Sequence, residues 1–235
     1  MARNNVWMSV SDLMTGLMVI FLFITVAYLK RVQTNQSMLK DFVENKQELH
    51  DKLVEKFKAE TQEKIITIGG DLSMRFQNAE TLFDDGSWDL KPEFEKQLSV
   101  ILPKYLDVLL NDSLKYKIRE IRIEGHTNNI PFPKLDKDPY MANLILSQRR
   151  AQSVMQFLRE IPEYKEYSPE DQKLLDYWFT ATGFSYGHAL DKNNEIAHVS
   201  GKVVDSAKSR RVEFRIITSG EEVLEDFVEK SQMIN

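Results

Sequence analysis

The chain has 235 residues, with 36 acidic side chains against 31 Lys and Arg and a net charge of -5. That is enough for one filled domain and a membrane anchor, and the mild acidity leaves no basic footprint for direct nucleic-acid binding. The absence of cysteine excludes disulfides, thiolate metal sites, iron–sulfur clusters and a cysteine nucleophile.

Apolar residues concentrate in VSDLMTGLMVIFLFITVAYL, Val10 to Leu29, the length that crosses roughly 30 Å of hydrocarbon as a helix. Trp7 and Tyr28 flank it as interfacial aromatics. A cleaved signal peptide is disfavoured, because the run is long, Asp12 interrupts its start and no small-residue cleavage pattern follows Ala27. Arg3 precedes the span while Lys30 and Arg31 follow it. The positive-inside rule alone would therefore put the C-terminal side in the cytoplasm.

A carboxylate inside such a span costs roughly 2.5–3.5 kcal/mol at the centre and less near an interface. Asp12 lies about 7–8 Å in from Trp7 at the helical rise. At helical spacing Ser9, Thr15, Gly16 and Val19 share its face, whereas Met14, Leu17, Met18, Phe21, Ile24 and Tyr28 lie opposite. One face is small and polar and the other suits lipid. Two readings stand: a protonated Asp that joins helices through a hydrogen bond, or a titratable site on an ion path, which needs a multi-span partner because one helix encloses nothing.

Between Lys30 and Lys64 there is neither proline nor glycine, and Met38, Leu39, Phe42, Val43, Leu49, Leu53 and Phe57 recur at threes and fours. Lys46 and Lys56 interrupt the stripe, so the segment reads as a helical linker, either a spacer or a channel plug. From Ile65 the pattern becomes α/β. Short extended pieces surround Gly69-Gly70, KPEFEKQLSVILPKYLDVLL is helical with Pro92 in its first turn, and IREIRIEG is a half-buried strand. ANLILSQRRAQSVMQFLRE is a second helix with Leu144, Ala151, Val154, Phe157 and Leu158 inward. A shorter helix follows Ser168-Pro169, a strand is expected near Phe179–Phe184, and RRVEFRIIT is the last strand. Ser219 and Glu222 form a capping box ahead of a terminal helix. The alternation predicts a β-α-β-α-β sandwich.

Four motifs in this order, LFDDGSWDLKPEF, IRIEGHTNN, NLILSQRRAQSVMQFL and SRRVEFRI, resemble the OmpA-like peptidoglycan-binding domain. With one acid-bearing span before it, the chain resembles MotB-type stator subunits, and its short N-terminal tail is most similar to the ZorB branch found in Zorya anti-phage systems. The resemblance implies the following organisation: a cytoplasmic tail (1–9), a transmembrane helix (10–29), a helical linker or plug (30–64), an OmpA-like domain (65–218) and a C-terminal helix or tail (219–235).

In that family an Asp after Gly-His-Thr and an Arg in the Leu-Ser-x-x-Arg helix hold the diaminopimelate of the stem peptide. Arg150 matches the arginine, whose fork suits a carboxylate. Asn143 lies two turns earlier and Leu146 between them. The Asp position holds Asn128, which keeps hydrogen bonding without the charge that would pair with an ammonium. A retained fold with lost ligand binding is the competing reading. Arg211 matches the family's second arginine and is expected at the pocket edge, beside Arg210. His126 sits in the motif loop, where a structural hydrogen bond competes with a ligand role. His188 and His198 have no acid or histidine at ligand spacing, so no metal is assigned. Ser185 and Ser200 lack a base and an oxyanion loop, so no enzymatic activity and no cofactor is expected.

The resemblance implies a homodimer surrounded by a pentameric ring of a ZorA- or MotA-like multi-span protein in the bacterial inner membrane, with the N-terminus cytoplasmic and the domain periplasmic. Asp12 would carry the ion, a proton in the first instance, although Ser9, Ser11, Thr15 and Thr25 could offer oxygens to sodium. Anti-phage defence is the expected setting. A flagellar-type stator and a non-conducting tether between envelope and cell wall are the alternatives.

Overall fold

The structure, a computed structural model, describes residues 2–77 and 79–221. The helix expected from Ser219 onward lies outside the described residues beyond 221. The chain divides into two units, the first extending to Glu44 and the second comprising Asn45–Ser219.

The first unit is the N-terminal part of α1 (Ala2–Lys56), the one helix among the described residues apolar and long enough to cross a membrane. Its side chains from Val10 to Leu29 are exposed all round, which an apolar helix tolerates in lipid and not in water. Thr15 and Thr25 donate their hydroxyl protons to the carbonyls of Ser11 and Phe21, each at 2.8 Å, so neither proton is left unpaired in hydrocarbon. Nothing lies within 4 Å of where a Cβ of Gly16 would sit, and the small face beside Asp12 is open.

The second unit is built on a five-stranded sheet. β1 (Ile66–Ile68) and β2 (Ser73–Phe76) form an antiparallel hairpin, and β3 (Ile118–His126), β4 (Phe179–Gly183) and β5 (Arg211–Thr218) complete the order β1-β2-β5-β3-β4. Only β3 and β4 run parallel, so the chain between them must cross over. It does so through α5 (Pro139–Glu160), α6 (Pro162–Glu166) and α7 (Pro169–Trp178). Each starts with proline at its first position, and Asp138 and Ser168 cap α5 and α7 by accepting from Tyr140 and Asp171 amides. The remaining helices are α2 (Lys58–Gln62), α3 (Ala79–Leu82), α4 (Pro92–Leu109), α8 (Ala197–Ser200) and α9 (Ser206–Ser209).

Alternation along the strands decides the layers. Ile121, Ile123, Val212, Phe214 and Ile216 face the core with Phe94, Leu98, Leu102 and Tyr105 of α4. Phe76 meets Phe94 edge-on at 5.1 Å, and Tyr105 meets Phe214 at 5.5 Å. In α5, Ala151, Val154 and Leu158 are buried, while Leu144 and Phe157 are only half-buried. Gly125 of β3 stands in register with Gly183 of β4. A Cβ on Gly125 would come 2.1 Å from the Ser147 carbonyl oxygen, and one on Gly183 2.5 Å from the Gln148 amide. Two paired glycines thus admit the α5 backbone directly onto the sheet.

The domain begins earlier than the change of pattern at Ile65 suggests. Leu49, Leu53 and Phe57 are fully buried in the same core as the sheet. Lys117 reaches Glu48 at 2.7 Å, Lys52 donates to Ser113 at 2.8 Å, and Lys104 pairs with Glu60 of α2. The partly exposed pairs add little; the apolar side chains fix the helix end. Leu53→Ala should therefore destabilise the domain by about 3 kcal/mol through the cavity it leaves, and Val54→Ala on the exposed side by less than about 0.5 kcal/mol. Urea unfolding of the full chain in detergent, followed by the emission of buried Trp178, measures both. Equal, small effects would detach the helix end from the core.

Candidate functional site

The end of β3 and the start of α5 bring a loop cluster together. A pocket of about 170 Å³ lies between the 84–87 turn, the segment after Thr127 and one face of α5. Asn128, Asn143, Leu146 and Arg150 all line it, as do Asp85 and Arg210. At this size it suits one amino-acid-sized end group rather than a whole ligand.

Each polar side chain already holds part of the frame. The Asn143 amide donates to the carbonyls of Ile130 at 3.0 Å and Pro139 at 2.9 Å, leaving its oxygen as an acceptor. Asn128 accepts from the Ile130 amide at 3.3 Å through Oδ1, closing a local turn and leaving its NH2 as a donor. Leu146 is a buried wall. Gly86 adopts φ +69°, and a Cβ there would strike the Phe132 ring at 2.1 Å. Glycine is therefore required where the turn presents Asp85.

Arg150 lines the pocket and is also committed in part to the frame. Its Nε donates to the Ser87 carbonyl at 2.9 Å, its Nη2 to Asp84 at 3.1 Å, and its plane sits 4.8 Å from the centre of Phe83. Nη1 makes no hydrogen bond among the described residues and Nη2 keeps a second proton, so the Nη1–Nη2 edge is left for a ligand carboxylate while Nε and Nη2 hold the turn. Burial, with repulsion from Arg210, brings its pKa down to about 10, and the group stays charged at neutral pH. Its first role is positional: it ties the 84–87 turn to α5.

Arg211 and His126 are the corrections. Neither lines the pocket, because both project from the sheet face opposite α5. Arg211 pairs with Glu213 and donates to the carbonyls of Ser209 at 3.3 Å and His188 at 3.2 Å. Arg210, just before the strand, takes the pocket position and pairs with Asp85 at 2.7 Å. His126, 1% exposed, stacks on Phe184 with ring centroids 5.1 Å apart. Its Nε2 lies 3.4 Å from Glu124.

Around them runs a buried charge ladder that sequence reasoning missed. Arg75 reaches Glu213 at 2.9 Å, and Arg215 reaches Glu124 at 3.4 Å and Asp71 at 3.1 Å. Burial alone would raise Glu213; Arg211, with His126 and Arg75, outweighs it and holds the carboxyl below its usual range. Donor atoms of Glu124, His126 and Glu213 fall within 4.8 Å of one another. The guanidinium groups already contact both carboxylates, so a divalent cation would have to displace fixed positive charge.

In the first unit Asp12 and Thr15 occupy the exposed helix; the side chain of Ser9 lies outside the described residues.

Desolvation pushes the His126 imidazole down from 6.5 to about 4. The unfolded chain therefore binds more protons between those values, so stability falls as pH falls from about 6.5 toward about 4, by at most ~1.4 kcal/mol per unit. His126→Asn should remove this contribution. Urea midpoints of both proteins across the window test it, and parallel curves would mean that His126 is not buried neutral.

Comparison with known proteins gives these features a family. No protein-family model matches the chain. It is 35% identical over 225 residues to the Zorya protein ZorB of the Crooks strain of Escherichia coli, covering 93% of this chain and 90% of that one. It is 28% identical over 220 residues to a ZorB of a second Escherichia coli strain, with 92% and 81% covered. Among solved structures, a MotB-like protein of Desulfovibrio vulgaris superposes with a TM-score of 0.51 at 19% identity, over 77% of this chain and 98% of that one. That likeness is one of fold, and the sequence relationship carries the assignment: the chain belongs to the ZorB family.

Proposed function

We propose that this protein is the peptidoglycan-anchored subunit of an ion-driven, stator-like Zorya complex in the bacterial inner membrane. Asp12 carries the reading. It is a carboxylate on the small, open face of the one candidate span among the described residues, where a charge is costly unless a partner helix, a proton or a cation meets it. The ring would be a pentameric ZorA-like multi-span protein around a dimer of this chain, with the N-terminus in the cytoplasm and the domain in the periplasm. Protons passing Asp12 would turn ring against dimer, each worth about 2.3 kcal/mol per 100 mV. The domain would hold the dimer to the wall and catalyse nothing. Membership of the ZorB family supports this setting over a flagellar one.

In liposomes holding the chain with its ring partner, Asp12→Asn should abolish ion flux, because the amide keeps a hydrogen bond and cannot titrate. Flux unchanged by the substitution, or absent from an assembled wild-type complex, would leave a tether whose aspartate only joins helices.

The Asn128, Asn143, Leu146 and Arg150 pocket is the proposed contact with the stem peptide. Asn128→Ala removes one ligand-facing donor and should weaken co-sedimentation with isolated cell-wall sacculi by about tenfold, the value of one hydrogen bond. Undiminished sedimentation would move wall binding elsewhere.

A further inference from the structure

A second pocket lies on the other side of Arg210. It measures about 390 Å³, more than twice the Arg150 pocket, and opens between the β1–β2 hairpin and α9. Arg75, Lys208, Arg210 and Arg211 line it with the neutral Thr67 and Gln77, and no Asp or Glu is among its lining residues.

Four cations are incompletely matched here. Arg75 and Arg211 share one carboxylate, the buried Glu213 beneath them. Asp71 stands 4.0 Å from Arg75 and closer, at 3.1 Å, to Arg215, which lines neither pocket. Arg210 meets Asp85, which belongs to the Arg150 pocket. Lys208 donates to the Lys192 carbonyl, with no carboxylate partner among the described residues. The Nε of Arg210 is buried without a hydrogen-bond acceptor. Crowded guanidinium and ammonium groups repel, and burial disfavours the charge of Arg211 further; an anion between them relieves both costs through charge-assisted hydrogen bonds. The pocket is large enough for such a group with several atoms around it.

We propose that this pocket is a subsite for an anionic oxygen group, a carboxylate or a phosphate. Arg210 lines both pockets, so the two adjoin, and the proposal sets a ligand's end group beside Arg150 and a second acid group, reached past Arg210, among Arg75, Lys208 and Arg211. Resting on the wall-binding reading above, the source of that acid is a free carboxylate of the same stem peptide.

The test uses the full chain in detergent at low ionic strength, where surface charge is least screened. The probes are a stem tripeptide ending in diaminopimelate and the same peptide with its glutamyl carboxylate converted to the amide. Calorimetry should find the acid form bound about tenfold more tightly. Ala207→Glu sets a carboxylate into the pocket lining and leaves every arginine in place; it should erase the preference while the amide form binds as before. Lys208→Gln, which breaks no ion pair to a lining residue, should narrow the preference in the same direction. Equal affinity for the two peptides, or an equal effect of Ala207→Glu on both, overturns the inference. If neither peptide binds, the wall-binding reading fails, and inorganic phosphate decides the rest. Saturable phosphate binding lost in Ala207→Glu upholds the anion subsite with a phosphate source, and no phosphate binding overturns it.

Discussion

The sheet domain depends on the close approach of α5 to the sheet. Gly125 and Gly183 are neighbours across the parallel β3–β4 pair, and the Ser147–Gln148 backbone sits where their side chains would be. Interiors packed at this density do not yield by an ångström, so either glycine fixes how deep the helix lies. That depth sets where Asn143, Leu146 and Arg150 stand relative to the loop after Thr127. Arg150 then holds the 84–87 turn through two carbonyls, and the turn presents Asp85. The Arg150 pocket is the last step of a chain of contacts that begins with two missing methyl groups.

The opposite sheet face follows other physics. Where most sheets of this kind would meet water or a second apolar layer, Glu124, His126, Arg211 and Glu213 are buried together. Each carboxylate is met by at least one guanidinium, which is the condition under which buried charge is tolerable. Removing one member would leave its partner charged and dry. The ladder therefore limits which residues can vary on β2, β3 and β5, and leaves surplus positive charge only at its rim, beside Arg210 and Lys208.

Much of this was legible in the sequence. The strand IREIRIEG, the helix after Asn143 and the alternating RRVEFRII are all present, since period and capping are local properties. The helical pocket residues were also legible, because positions 143, 146 and 150 share one side of any α-helix. Two placements failed for a reason the sequence contained. Arg211 and His126 have the same parity as Glu213 and Glu124, and so point away from the face that Phe214 and Ile123 share with α5. Strict use of the two-residue period would have chosen Arg210 instead. The tie of Arg150 to the 84–87 turn was not readable, since its acceptors lie more than sixty residues away and only the fold brings them near. The same holds for the burial of Leu49, Leu53 and Phe57, whose stripe is interrupted by Lys56, which Asp107 of α4 meets at 3.4 Å.

That buried helix end has a mechanical meaning. A domain tethered through an edge strand yields by unzipping, one hydrogen bond at a time. Here tension arriving along the last turns of α1 is borne by three side chains wedged into the core, loaded together and in shear. They must leave simultaneously for the grip to slip, so the rupture force reflects their summed burial rather than the weakest single contact. The helix end is seated as a plug rather than stitched on as a ribbon.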